Sequence, residues 1–202
     1  MRNQAAPLSK MDLSLVVLGE EAMDTFNRLC DHSFMQEKIK LTAPARRKHD
    51  DLNIMLHSRP GIGFSGAEIM SFCDDIKNDE ADIPADEITA LLDYLDEAIS
   101  EKRAYLKKVH IPIVLYVAQL AKEKDISPEE FGLRLDAFFE NLPDDGEYMA
   151  ACRSGSAKRT NVQTRMQIMS EMLDGAAPKK KETPTALSAK TETVSYTHLT
   201  LP

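Results

Sequence analysis

Apolar residues recur at three- and four-residue spacing along most of the chain, and capping or breaking residues punctuate the runs, so the pattern predicts helices throughout. Ser9 is placed to cap a helix in which Asp12 sits at the positive end of the dipole and Leu13, Val16 and Val17 form one stripe, ended by Gly19. From Glu20 a second stripe, Ala22, Phe26 and Leu29, runs to a stop near His32 and Ser33. Pro44 starts a third helix with Leu52, Met55 and Leu56 inward, closed by Pro60 and Gly61. Ser65 and Glu68 then stand in capping-box spacing ahead of Ile69, Phe72 and Ile76.

Pro84 opens the longest pattern, with Ile88, Leu91, Leu92, Leu95 and Ile99 inward, acids early, and Lys102, Arg103, Lys107 and Lys108 late, a charge order that suits a helix dipole. Pro112 fits the first turn of a helix that is apolar nearly all round from Ile113 to Leu120, which predicts the central buried element. "ISPEEFGLRLDAFFENL" carries the cleanest start signal: Ser127 as cap, Pro128 in first position, Glu130 to close the box, and Phe131, Leu135, Phe138 and Phe139 on the core face. Two shorter helices follow, one around Tyr148 to Cys152 and one through "NVQTRMQIMSEML", joined by the polar turn "RSGSAKRT". No period-two alternation long enough for a sheet and no internal repeat is present. The expected architecture is all-α, a single helical-bundle-like domain of about eight or nine helices.

Four segments are expected. Residues 1–8 read as the end of an upstream domain or a linker, and 9–175 as the helical domain. Residues 176–193, "AAPKKKETPTALSAKTET", hold too few large apolar residues to pack and read as a disordered linker. Residues 194–202, "VSYTHLTLP", can be written GTC TCT TAT ACA CAT CTG ACG CTG CCG, the reverse complement of a common transposase-type sequencing adapter. This run is read as library read-through, excluded from fold reasoning, with the true C-terminus expected to be missing.

Composition narrows the function classes. The chain has 202 residues, 29% charged and 43% hydrophobic, inside the globular range. Its formal charge of -8 excludes general nucleic-acid binding by the body as a whole unless basic residues gather on one face. Cys30, Cys73 and Cys152 are odd in number and far apart, so neither a disulfide framework nor a cysteine-rich zinc site is indicated, and a reducing cytoplasm is the expected home. The longest apolar stretch, "IPIVLYVAQLA", is well short of the roughly 20 residues that span a bilayer, and no secretory leader opens the chain, so no membrane association is expected.

Among the motifs, "GIGFSG" matches the glycine spacing of a phosphate loop through Gly61, Gly63 and Gly66. That mechanism needs a preceding strand, and an amphipathic helix precedes it here, so the reading is a helix-to-helix turn. His32, His49 and His57 show no matched ligand spacing for a metal, and "ARRKHD" is self-neutralised by Asp50 and Asp51 one turn on. No nucleophile, base and orienter are suggested by spacing. The candidate site is "RSGSAKRTNVQTR", where Arg153, Ser156, Lys158, Arg159 and Arg165 gather around a glycine at a helix N-terminus, a geometry suited to the phosphate of a nucleic acid or nucleotide. The alternative is a solvated turn in which Ser156 or Thr160 caps the last helix and the cations stay in water.

A resemblance adds to this. "MRNQAAPLSKMDLSLVVLGEEAMDTFNRL" resembles the point in GmrSD-type restriction proteins where a ParB/sulfiredoxin-like N-terminal domain hands over to a helical region, with a segment of the form R-x-N-x-x-x-P-L-S-x-x-E-L. Arg2, Asn3, Pro7, Leu8, Ser9 and Leu13 all fall within one place of that form, and Asp12 stands for the acid. "EYMAACRSGSAKRTNVQTRMQIM" resembles the closing helical segment of some relatives. The resemblance implies a parent that is a nucleotide-dependent, DNA-targeting restriction or phage-defence endonuclease using a nucleoside triphosphate and a divalent metal. Its chemistry is placed upstream, around Asp-Gly-Gln-Gln-Arg and Pro-Tyr-Gln-Arg type motifs that this chain lacks, so Met1 is read as an internal methionine. The chain itself is then expected to hold no cofactor and no catalytic residue, to have the missing upstream catalytic domain as partner, and to touch DNA at most locally. The alternative reading is a non-enzymatic helical protein-interaction module of a mobile-element accessory protein.

Overall fold

Helices α1 (Glu20–Cys30), α2 (Gly66–Lys77), α3 (Ala85–Ala98), α4 (Ile111–Glu123), α5 (Pro128–Glu140), α6 (Glu147–Arg153) and α7 (Arg159–Ser170) are joined by a π-helical turn at Phe34–Lys38 and followed by a 3-10 turn at Glu171–Asp174. The computed structural model describes residues 16–39 and 65–175, and among them there is no strand. The chain is all-α, with one continuous core from Leu18 to Leu173. Residues 9–15 of the helix expected from Ser9 to Gly19, the helix expected from Pro44, the turn at Gly61 and Gly63, and the segments 1–8, 176–193 and 194–202 lie outside the described residues. No helix among the described residues is long and apolar enough to cross a membrane.

The core is organised around α3 and α4. α3 packs against α1, α4, α5 and the π-helical turn, while α7 packs against α4 and α6 and the 3-10 turn packs on α5. Helix α4 buries Ile111, Pro112, Ile113, Val114, Leu115, Val117, Ala118 and Ala121, which is why a sequence apolar on every side sits at the centre. Local signals start two of its neighbours. The Ser65 hydroxyl oxygen accepts from Glu68 N at 3.3 Å to cap α2, and the Ser127 hydroxyl oxygen accepts from Glu130 N at 3.2 Å to cap α5. The Glu130 carboxylate does not complete the expected box. It pairs with Arg134, whose guanidinium also donates to the Leu173 carbonyl and so draws the acid along the helix.

Two features depart from the sequence pattern. After α1 the chain does not simply stop near Ser33 but enters the π-helical turn, which buries Phe34 and Met35 completely. The His32 ring fixes it in place: Nδ1 accepts from Phe34 N at 3.1 Å, so Nε2 carries the proton and donates to Asp93 at 3.0 Å. Helix α3 ends at Ala98, and Lys102, Arg103, Lys107 and Lys108 lie in the loop beyond it rather than in its last turn. Ile99 turns extended, burying its side chain, and the C-terminal cation comes instead from Lys38, whose Nζ donates to Ile99 O at 2.9 Å and Ser100 O at 2.7 Å.

Close approach of α5 to α3 depends on Gly132. A Cβ there would sit 2.2 Å from the Ala98 carbonyl oxygen, a contact between two backbones that no rotamer change relieves. Gly132→Ala is expected to cost about 1–3 kcal/mol or slightly more through overpacking, although alanine is the better helix former. Urea titration checks this, and an unchanged or raised midpoint would show that the α3–α5 packing is looser than drawn.

Candidate functional site

The turn between α6 and α7 is closed from within. Asn161 Nδ2 donates to Ser154 O at 2.7 Å and Gly155 O at 3.0 Å, and Gly155 supplies the left-handed conformation at φ 63° that lets the chain reverse. The Lys158 stem packs over Gly155, so close that an added Cβ would meet Lys158 Cδ at 3.0 Å. Lys158 is the N-cap residue of α7 and its side chain makes no capping hydrogen bond, leaving a cation at the positive end of the dipole.

The five residues singled out by the sequence do not act as one cluster. Arg165 is fully buried: Nε donates to Asn161 O at 3.2 Å, Nη1 to Val109 O at 2.5 Å, and Nη2 to Ser156 O. Ser156 therefore takes part through its backbone oxygen. Arg153 Nη2 donates to Asp144 O at 2.5 Å, and Arg159 Nη2 pairs with Glu68 Oε1 at 3.1 Å, tying the starts of α2 and α7 together. Among the described residues Lys158 alone of the four cations has no hydrogen-bond or ion-pair partner, and it is exposed. Arg165 thus works as a staple from α7 to the residue before His110 and to the 154–158 turn, while Lys158 and Arg159 remain at the surface.

Behind Arg165 lies a buried polar group that the sequence did not reveal. His110, the N-cap residue of α4, is 8% exposed and its Nδ1 lies 3.0 Å from the hydroxyl of Tyr148, which is 1% exposed. The rings stack at 5.6 Å, and His110 meets Phe139 edge-on at 5.1 Å. The Tyr148 hydroxyl has no other hydrogen-bond partner among the described residues, so its proton goes to Nδ1, and His110 Nε2 carries the ring hydrogen. Burial, then the charges of Arg165 and Lys107, push the His110 pKa down to about 4. Burial also raises Tyr148 well above its ordinary value, with Cys152 adding to the rise and Arg165 opposing it. Burial lowers the Arg165 pKa, and Cys152 and Tyr148 pull it upward.

This arrangement sets a pH dependence. Unfolded His110 takes up a proton near its ordinary 6.5, whereas the folded site resists protonation until about 4, with Tyr148 on α6, Phe139 on α5, Arg165 on α7 and Lys107 around it. Its contribution to stability is complete above about pH 6.5 and is lost as pH falls to about 4, a total of about 3 kcal/mol. Urea midpoints measured from pH 7 to 4 should fall in the native chain and fall much less in His110→Gln. Parallel curves for the two proteins would remove His110 as the cause.

On the outer side of His110 an open cleft of about 620 Å³ runs between the 99–110 loop, the end of α5 and the start of α6. Arg103 crosses one end, with Nε and Nη2 each 3.1 Å from Asp136 and Nη1 2.6 Å from Glu101, and Tyr105 donates to Asp136 at 2.6 Å while its ring stacks on Phe139 at 4.2 Å. Burial pushes the Asp136 carboxyl up, but the hydrogen bonds from Arg103 and Tyr105 outweigh it and hold the carboxyl below its ordinary value. Among the described residues no three His, Cys, Asp or Glu side chains are arranged to hold a metal ion. The two histidines of the described residues accept from a backbone amide and a tyrosine, not from a serine or cysteine. Neither a family model, a curated protein nor a solved structure matches the chain.

Proposed function

We propose that this chain is the helical, non-catalytic part of a DNA-targeting restriction or phage-defence protein, in which it supports a nucleotide-dependent catalytic domain. The observation that carries the support role is the disposition of the cations. Arg165 is directed to the backbone oxygens of Val109, Ser156 and Asn161, Arg153 to that of Asp144, and Arg159 to Glu68, so most of the positive charge at the turn locks helices together. The restriction context comes from the resemblance of the segment with Arg2, Pro7, Leu8, Ser9 and Leu13 to the GmrSD-type handover, and it assigns the nucleoside triphosphate and its divalent metal to the upstream domain. The acidic composition favours the second reading, a helical protein-interaction module of a mobile-element accessory protein, because a net charge of -8 suits a protein partner better than a polyanion.

Sequencing the source locus 5′ of the Met1 codon separates the two. An in-frame, strand-rich domain with the Asp-Gly-Gln-Gln-Arg type motif is expected, and a stop codon with a ribosome-binding site directly before Met1 would overturn the first reading. Contact with phosphate, in this account, is confined to the exposed Lys158 and Arg159. Lys158→Ala with Arg159→Ala should weaken DNA or nucleotide binding by the complete protein and flatten its salt dependence. The same change should cost stability no more than about 1 kcal/mol, the worth of the partly exposed Arg159–Glu68 pair. Equal affinity and equal salt slope would mean that these cations are only solvated.

A further inference from the structure

The cleft beside His110 has an apolar floor of Phe139, Leu142 and Met149 under a rim on which four carboxylates face two cations. Two of the carboxylates, Glu101 and Asp136, are already engaged by Arg103. Glu140 and Asp144 have no ion-pair partner for their carboxylates among the described residues, and both are exposed. His110 lines the cleft with Nδ1 turned inward to Tyr148, so Nε2–H is the polar group it offers at the cleft surface, with no protein acceptor among the described residues. An apolar floor, acids at the rim and one fixed N–H donor match the chemistry of a peptide carrying basic and apolar side chains. They do not match a nucleic acid, whose phosphates the rim would repel.

We propose that this cleft docks a basic segment of the partner protein, with an apolar side chain on Phe139, Leu142 and Met149, lysine or arginine on Glu140 and Asp144, and a main-chain carbonyl accepting from His110 Nε2. This rests on the reading that the chain supports a protein partner, and it names the chemistry of that contact. The neutral imidazole suits the role, because a charged one would repel the basic segment it is meant to hold.

The test is an NMR titration of the isotopically labelled full chain with the peptide acetyl-Lys-Leu-Lys-Leu-Lys amide, and with the same peptide carrying glutamate for lysine. The basic peptide should shift signals of Leu142, Met149 and His110, and the acidic one should not. Glu140→Lys with Asp144→Lys should weaken the basic peptide about tenfold, two rim ion pairs' worth. Asp82→Lys with Glu87→Lys, exposed acids outside this cleft, should leave its affinity unchanged. Shifts scattered over the acidic surface, equal weakening by both charge reversals, or no shift at the cleft would overturn the proposal. If the upstream domain is found and the peptide does not bind, the cleft assignment fails alone. If a stop codon precedes Met1 and the peptide binds, the restriction reading fails and the cleft stands.

Discussion

Replacing Arg165 with methionine should destabilise the fold by about 3–5 kcal/mol, the range seen when one side of a buried charged hydrogen-bonded group is removed. The side chain is fully buried and donates to Asn161 O, Val109 O and Ser156 O. Methionine fills much of the volume, so the loss comes from backbone oxygens left without donors. Relief of the desolvated charge offsets part of it, since burial already lowers the Arg165 pKa. Lysine should rescue little, because one ammonium cannot reach oxygens that a planar fork spans. Urea titration reads the difference, and a loss below about 1 kcal/mol would mean that the staple is dispensable.

Phe138→Ala is expected to cost a similar amount, about 3–5 kcal/mol, by emptying a buried aromatic site. Phe138 is 3% exposed and meets Tyr148 edge-on at 5.3 Å and Phe139 at 5.3 Å. It therefore joins α5 to α6 and backs Phe139 and Tyr148, the two rings that lie against His110. Loss of this ring should also let water reach His110, so the acid dependence between about pH 6.5 and 4 should become shallower in the variant. A urea midpoint close to that of the native chain would show that the core face of α5 has been misassigned.

The parts of the fold that local chemistry decides were readable in advance. Ser65 and Ser127 cap as their spacing implies, and the all-round apolar run from Ile113 predicts the central helix. The parts decided by distant partners were not. The π-helical turn is hidden because it is held from far along the chain: His32 reaches Asp93, 61 positions away, and Lys38 acts on residues 61 and 62 positions away. The basic run after Ile99 looks like a helix end until Arg103 finds Asp136, 33 positions on.

The candidate site divides in the same way. Arg165 was grouped with surface cations by proximity, yet Val162, Arg165, Met166 and Met169 share one helical stripe and all four are buried, a signal the sequence does carry. His110 gives no such signal, since its partner Tyr148 lies 38 positions away.

The proposed role of this chain is to support chemistry that another domain performs. Phosphate release from magnesium nucleoside triphosphate, measured for the full chain, for the strand-rich domain recovered from the same locus, and for the two mixed, tests it most directly. The account predicts no turnover from the chain alone and a mixture faster than the domain by itself. Turnover by the chain alone, or a mixture no faster than the domain, would contradict it.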